Sequence, residues 1–499
     1  MKQKPSINPF LPVFILINIA VISYSQSRTQ EFPRLEPDPK ALEFYNLSHP
    51  AGRLSWQQLA QMGLWASGDT SASYLGMISS AVTAVNSSPE LPSSEKEKAE
   101  FILSYMHKNI LKSYSLYQTR VDTIFANGRF NCVSSAVLYM ILCKSSGINT
   151  SGVMTKEHAF VIVHTPGRDF DVETTNPYGF DPGNRKEFLD SSGNITGFAY
   201  VPPQNYRDRQ TISQTELVSL ILNNRIAELE RHKNYHESVP VAVDMAALLK
   251  GKEFFANDGK TWGPIFEDPR NNVMDRLLNF GNTFISSGRE EESLRWADTA
   301  RALYPDPRWQ DLIHPAVNNY LFKLMKADKT EEARSFLEKQ KHLLSATEYN
   351  KQDALIVDTE IIKASNKIKT AEDGNMVVLI IDKARKEGKL TDKRANELLT
   401  PAFQRIASVL CAPPANDWRA AIAYMESIIA LYGANRDLEQ HLRIYRGNLS
   451  GEYHNRFAAE WNRKNFEEAE RIINEGLAEF PNDRQLLADR ETINRNRRR

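Results

Sequence analysis

The chain has 499 residues, 41% of them hydrophobic, with 62 Lys and Arg balancing 62 Asp and Glu. That length exceeds one ordinary hydrophobic core and implies about two or three domains. A formal net charge of zero supplies no field to gather a polyanion, which argues against nucleic acid or an anionic membrane surface as partner.

At the start, Lys2 and Lys4 precede the apolar run FLPVFILINIAVI, and Ser23-Tyr24-Ser25 sets small residues at the positions a cleavage before Gln26 requires. Residues 1–25 therefore read as a secretory signal peptide, and the protein as exported, periplasmic or secreted. An apolar core of about thirteen residues falls short of the roughly twenty that span a bilayer. An uncleaved anchor is the weaker alternative, and no membrane contact is expected beyond this segment. No cysteine follows the run, which excludes a lipid-modified one there. Export permits disulfides, yet Cys132, Cys143 and Cys411 are an odd set, so at least one thiol has no partner within the chain. On one helix Cys132 and Cys143 would stand about 16 Å apart, beyond disulfide reach. Cys411, ahead of Ala412-Pro413-Pro414 at a helix end, reads as a small buried hydrophobe.

Residues 26–95 open polar and proline-bearing, then turn helical in WQQLAQMGLWA, forming an N-terminal helical lead-in. Ser93-Ser94 before Glu95 and Glu97 marks a capped helix start. Residues 96–205 mix a helix with alternating strands, whereas almost everything after Gln210 has helical period. A boundary is expected between 205 and 215, after Val201-Pro202-Pro203, with residues 206–270 a helical connector and 271–499 helical repeats. The closing RNRRR reads as a frayed basic tail.

Within the mixed region, FNCVSSAVLYMILCKSSGI has Asn131 as a good N-cap, apolar Val133, Ala136, Val137, Met140 and Ile141 at three-and-four spacing, and Gly147 as the stop. Cys132 becomes the first residue of a helix, where free N–H groups and the helix dipole favour a thiolate and can hold an oxyanion. Cys143, three turns on, belongs to the core. EHAFVIV then reads as an interior strand carrying His158, and a turn at Pro166-Gly167 returns the chain through Phe170 to Thr175. That hairpin sets Asp171 opposite about Ile162 and Glu173 opposite about Phe160. Glu173 then lies about 7 Å along the sheet from His158, and Asp171 about 13 Å. A thiol needs a base, and the base needs a group to orient it and stabilise its charge. The candidate catalytic residues are therefore Cys132, His158 and Glu173, with Asp171 the substitute. Gln118, Asn127 and Asn131 are candidates for a second oxyanion donor. A metal site of His158, His164 and Asp171 is disfavoured, since the two histidines would be separated by about 20 Å of extended chain. No cofactor or metal is expected.

These residues resemble the transglutaminase-like superfamily. FNCVSSAVLYMILCKSSGI, HAF and GRDFDVETT match its cysteine helix, its His-aromatic strand and its Gly-x-x-x-x-x-Asp-Pro-Thr segment, in order, over about 110 residues. The resemblance implies a papain-like α+β core, with the family's cysteine at Cys132, its histidine at His158 and its aspartate at Glu173. Two departures stand out: glutamate replaces the usual aspartate, and Ala159-Phe160 follows the histidine where tryptophan is frequent. Further on, LLNFGNTFISSGREEESLRWADTARALYP and YHNRFAAEWNRKNFEEAERIINEGLAEFPND resemble tetratricopeptide repeats, through Leu277, Gly281, Phe284, Ala300 and Pro305 in the first and Ala469, Gly476 and Pro481 in the last. Ala333 precedes Ala469 by four 34-residue periods. The implied architecture is a papain-like core followed by an all-α repeat solenoid that binds a protein partner. Thiol acyl transfer on a protein or peptide amide is the expected chemistry, with water or an amine as acceptor. The reading from a different class is a non-catalytic adaptor that keeps the core as a folded platform.

Overall fold

The computed structural model describes residues 32–49, 54–183, 186–196, 208–256, 262, 267–413 and 416–497. The signal-peptide residues 1–25 and Val201-Pro202-Pro203 lie outside the described residues. The chain divides into two compact units, Met1–Leu312 and Ile313–Arg499.

In the first unit, helices α1 (Pro39–Ser48), α2 (Trp56–Ser67), α3 (Ala72–Asn86) and α4 (Glu95–Asn109) precede a parallel pair, β1 (Ser113–Tyr114) with β2 (Arg129–Phe130), that brackets α5 (Val121–Asn127). Helix α6 (Cys132–Ser145) leads into strands β3 (Asn149–Met154), β4 (Ala159–His164) and β5 (Asp169–Val172); β6 (Gln210–Ile212) follows α7 (Lys186–Thr196). The sheet is antiparallel throughout, in the order β5-β4-β3-β6. Asp171 is paired with Ile162, the register that the turn at Pro166-Gly167 implies. Helices α8 (Gln214–Arg231), α9 (Tyr235–Lys250), α10 (Pro269–Ser286) and α11 (Glu290–Leu303) complete the unit.

Helix α6 is the centre of this unit. Every residue from Val133 to Cys143 is buried, so the apolar stripe read from sequence understates it: a helix covered on all sides needs partners all round. They are α2, α3, α4, α5 and α8 together with β3 and β4. The polar residues within it are satisfied, Tyr139 donating its hydroxyl to the Ala99 carbonyl at 3.0 Å and Ser135 to that of Asn131 at 2.8 Å. The helix lead-in is therefore part of this core, because α2 and α3 pack directly on α6. Ser94 caps α4 as expected, accepting from the Glu97 N–H.

The boundary expected at 205–215 is not where the chain divides. Strand β6 pairs with β3, and α8 packs on β3, α6 and α2. Gly152 makes this closure possible, since a Cβ there would lie 2.9 Å from Ile212 and 3.1 Å from Leu217. The connector 206–270 is thus built into the first unit, and so is the first repeat-like hairpin, α10 with α11. In that hairpin Leu277, Phe284 and Ala300 are buried, and a Cβ on Gly281 would clash with Leu312 at 2.4 Å.

The second unit is helical throughout its described residues: α12 (Gln310–Lys326), which begins at the division, then α13 (Thr330–Lys339), α14 (Ala346–Asn366), α15 (Ala371–Lys386), α16 (Asp392–Leu410), α17 (Trp418–Tyr432), α18 (Arg436–Asn462), α19 (Phe466–Glu479) and α20 (Arg484–Arg497). From α13 on, each helix packs on the next, and α14, α16, α18 and α20 also touch in succession. Ala333, Ala469 and Gly476 are buried at these contacts. Cys411 is buried with them. The basic tail is helical as far as Arg497 rather than frayed. Among the described residues no helix is long and apolar enough to cross a membrane.

Two truncations test this division. A chain ending at residue 205 loses β6 and α8, and should show no cooperative thermal transition. A fragment of residues 313–499 should keep its helical circular dichroism and melt cooperatively. A folded 1–205 fragment would restore the boundary read from sequence.

Candidate active site

Asn131 builds the start of α6. Its side-chain Oδ1 accepts from the N–H groups of Val133 and Ser134, both at 3.0 Å, while Ser134 returns a hydroxyl acceptor to the Asn131 N–H at 3.0 Å. The Ser135 N–H goes to the Asn131 carbonyl. Three of the first-turn N–H groups are thereby used. The Cys132 N–H has no hydrogen-bond partner among the described residues. The Cys132 side chain is half-buried, and all three cysteines are free. Burial pushes the Cys143 thiol up, slightly offset by Tyr139, and leaves it inert.

His158 stands one residue before β4 rather than within it. A tight turn holds it, the Thr155 N–H donating to the His158 carbonyl at 2.8 Å and the His158 N–H to Thr155 Oγ1 at 3.0 Å. Its Nε2 meets Glu173 Oε2 at 2.5 Å, and the Cys132 thiol is near enough to the ring to act on its charge. Burial works against charge on the ring, but the Glu173 carboxylate and the thiol outweigh it and hold the pKa of His158 well above the ordinary imidazole range. The same pairing overcomes the burial of Glu173 and holds that carboxyl below its usual value.

Glu173 lies just past the end of β5, which is why strict extended spacing overstated its distance from His158. The chain turns there: the Glu173 N–H donates to the Gly179 carbonyl at 2.8 Å and the Asn176 N–H to the Glu173 carbonyl at 3.3 Å. Gly179 is obligatory, because a Cβ would fall 1.9 Å from the Glu173 carbonyl oxygen. The second carboxylate oxygen accepts from the Thr175 hydroxyl at 2.8 Å and the Thr175 N–H at 3.3 Å. Thr174 ties this turn to the helix that begins at Cys132, its hydroxyl 2.8 Å from that of Ser135. On the other side it accepts from His107 Nε2 at 3.1 Å. Sequence reasoning missed His107, Ser135, Gly179 and both threonines, although the threonines follow Glu173 directly and carry the clearest signal. It also missed Tyr114 on β1, whose phenol is pushed up by burial and by its nearness to Cys132 and Glu173.

The remaining candidates lie elsewhere. Asp171 makes a two-pronged ion pair with Arg209, at 2.8 and 3.0 Å. His164 is 2.9 Å from Ser151 and 3.0 Å from Asp169. Of the three amides considered as a second oxyanion donor, Asn131 is consumed by capping and by the Leu116 carbonyl, and Asn127 is exposed and accepts from the Arg129 N–H. Gln118 differs. Its side-chain Nε2 is buried with no hydrogen-bond partner among the described residues, a position that costs about 1–3 kcal/mol, while its backbone carbonyl accepts from Ser134 in the first turn of α6.

Cys132 and His158 open together onto a cleft of about 830 Å³, walled by Leu116, Tyr117 and Thr119, by the turn before β4 and by one face of α8. No protein-family model matches the chain, and a search of curated proteins finds no match.

His107 supplies a test of the supporting network. Burial lowers its pKa to about 4, against 6.5 for the free group, despite the Thr174 carbonyl. Between those values the unfolded chain binds a proton that the native chain does not. The stability due to neutral His107 is therefore complete above about pH 6.5 and is lost as pH falls toward 4, by up to about 3 kcal/mol. His107→Gln should flatten the fall in urea-unfolding free energy between pH 7 and 4.5. An unaltered slope would mean that His107 titrates normally.

Proposed function

We propose that this chain is an exported thiol acyl transferase of the transglutaminase-like kind, with a papain-like core, acting on protein or peptide amides. The tetratricopeptide-like helices from residue 271 onward would serve as the surface for a protein partner. One arrangement supports the reading: a thiol at a helix start and a buried carboxylate both act on one imidazole, beside a cleft that Cys132 and His158 line.

In this chemistry the proton of Cys132 already sits on His158 as a thiolate–imidazolium pair, and the sulfur attacks the amide carbonyl. The Cys132 N–H meets the oxyanion. His158 then delivers the proton to the leaving amine as the tetrahedral species collapses to a thioester. Glu173 keeps the ring oriented and stabilises its charged form throughout. Water resolving the thioester makes a peptidase or amidase; a second amine makes a cross-linking enzyme. The extra methylene of glutamate suits a carboxylate that reaches back from beyond the end of its strand.

The experiment is to incubate the purified protein with peptide amides, with and without a primary amine, and to detect the Cys132 thioester and the products by mass spectrometry. Cys132→Ala and His158→Ala should abolish both. Glu173→Gln should slow turnover by about a hundredfold or more. Asp171→Asn, which breaks only a half-exposed ion pair, should change it less than about threefold. A loss in Asp171→Asn equal to that in Glu173→Gln would transfer the orienting role. A Cys132 no more reactive than a thiol of the denatured chain would favour the adaptor.

A further inference from the structure

Leu116 and Tyr117 are 48% and 64% exposed, an unusual position for two large apolar side chains lining the same cleft as Cys132. Their loop is anchored at several points. The Ser115 N–H donates to the Phe130 carbonyl and the Gln118 N–H to the Ser115 carbonyl, each at 2.8 Å. Asn131 Nδ2 donates to the Leu116 carbonyl at 3.1 Å, and Ser134 Oγ to that of Gln118 at 3.0 Å. The residues that cap the nucleophile's helix therefore also hold this loop. From the other wall, Asn224 on α8 donates to Thr119 Oγ1 at 3.1 Å. The Arg231 guanidinium, itself beside Glu228, lies 4.1 Å from the Tyr117 ring centre. A solvated tyrosine gains from such a contact, and the contact fixes the ring before any ligand arrives.

An apolar shelf that is rigid, exposed and joined to the nucleophile's own cap has the properties of a recognition surface. The loop backbone is already ordered, so little backbone freedom remains to be lost on binding, and exposed apolar area is otherwise unfavourable. We propose that Leu116 and Tyr117 form the specificity shelf of the site, selecting peptide acyl donors that carry a bulky apolar side chain within two residues of the attacked carbonyl. This rests on the acyl-transfer reading above and narrows its substrate class. The charged groups around the cleft, Lys156, Glu157, Asp208, Glu228 and Arg231, are of both signs and nearly cancel, so they favour no strongly charged peptide over the apolar one.

The test uses peptidyl chloromethyl ketones, in which the Cys132 sulfur displaces chloride to form a thioether. N-acetyl-Phe-Gly and N-acetyl-Gly-Phe probes are compared with N-acetyl-Gly-Gly, and the modified cysteine is identified by mass spectrometry. The native chain should react at least about tenfold faster with the better phenylalanine probe than with the glycine probe. In Tyr117→Ser and in Leu116→Ser that ratio should fall toward one. A ratio near one in the native chain, with labelling of Cys132 still dependent on His158, overturns the shelf and leaves the acyl-transfer reading standing. A high ratio retained in both variants also overturns it, by assigning selectivity to another surface. If neither probe reacts at Cys132, both readings fall together.

Discussion

The burial of α6 on every side is the constraint on which the first unit depends. A helix with no solvent face must be enclosed by elements from both directions along the chain, and here they come from α2 through α5 before it and from β3, β4 and α8 after it. Only its two ends, Cys132 at the start and Lys144-Ser145 at the finish, escape this enclosure. Cys132 is half-buried while the next eleven residues are sealed. A group at the Cys132 end is held by a helix enclosed along most of its length, beside a cap whose side chains take up the N–H groups of Val133 and Ser134.

Charge is arranged around this helix end with equal economy. Burying an ion pair is unfavourable unless the remaining hydrogen-bonding capacity of each ion is met. Glu173 meets the condition, with one oxygen on His158 and the other on two donors of Thr175. Thr174 faces the other way, joining this turn to Ser135 and to a neutral His107. Two histidines at one site thus have opposite electrostatics. His158 is held charged by its carboxylate, whereas burial keeps His107 neutral and able to donate to a carbonyl.

The same cap connects Cys132 to the cleft wall. Asn131 and Ser134 order the first turn of α6 and also grip the 116–118 loop, so a change in either would disturb the start of the helix and the cleft wall together. Asp171 and Arg209 occupy each other at the far edge of the sheet, with Arg209 also lying 5.4 Å over Phe160. Two acids of one short strand segment are in this way given different tasks by their partners.

Sequence by itself determined the local pieces: a helix beginning at Cys132 because Asn131 caps it, a hairpin whose turn at Pro166-Gly167 sets Asp171 opposite Ile162, and a Glu173 nearer than Asp171 to His158. These follow from short-range geometry, in which periodicity and turn residues leave few choices. Only the tertiary structure decided that Glu173 sits in a turn closed against Gly179, since the close approach of two backbone segments leaves no periodic trace. It alone also decided that Asp171 is held by Arg209, 38 residues away. The division of the chain was hidden for the same reason. Periodicity changes near residue 210, but β6 and α8 on the helical side of that change complete a sheet and cover a helix on the other. A helix's period tells which of its faces is apolar, not which distant segment will cover it.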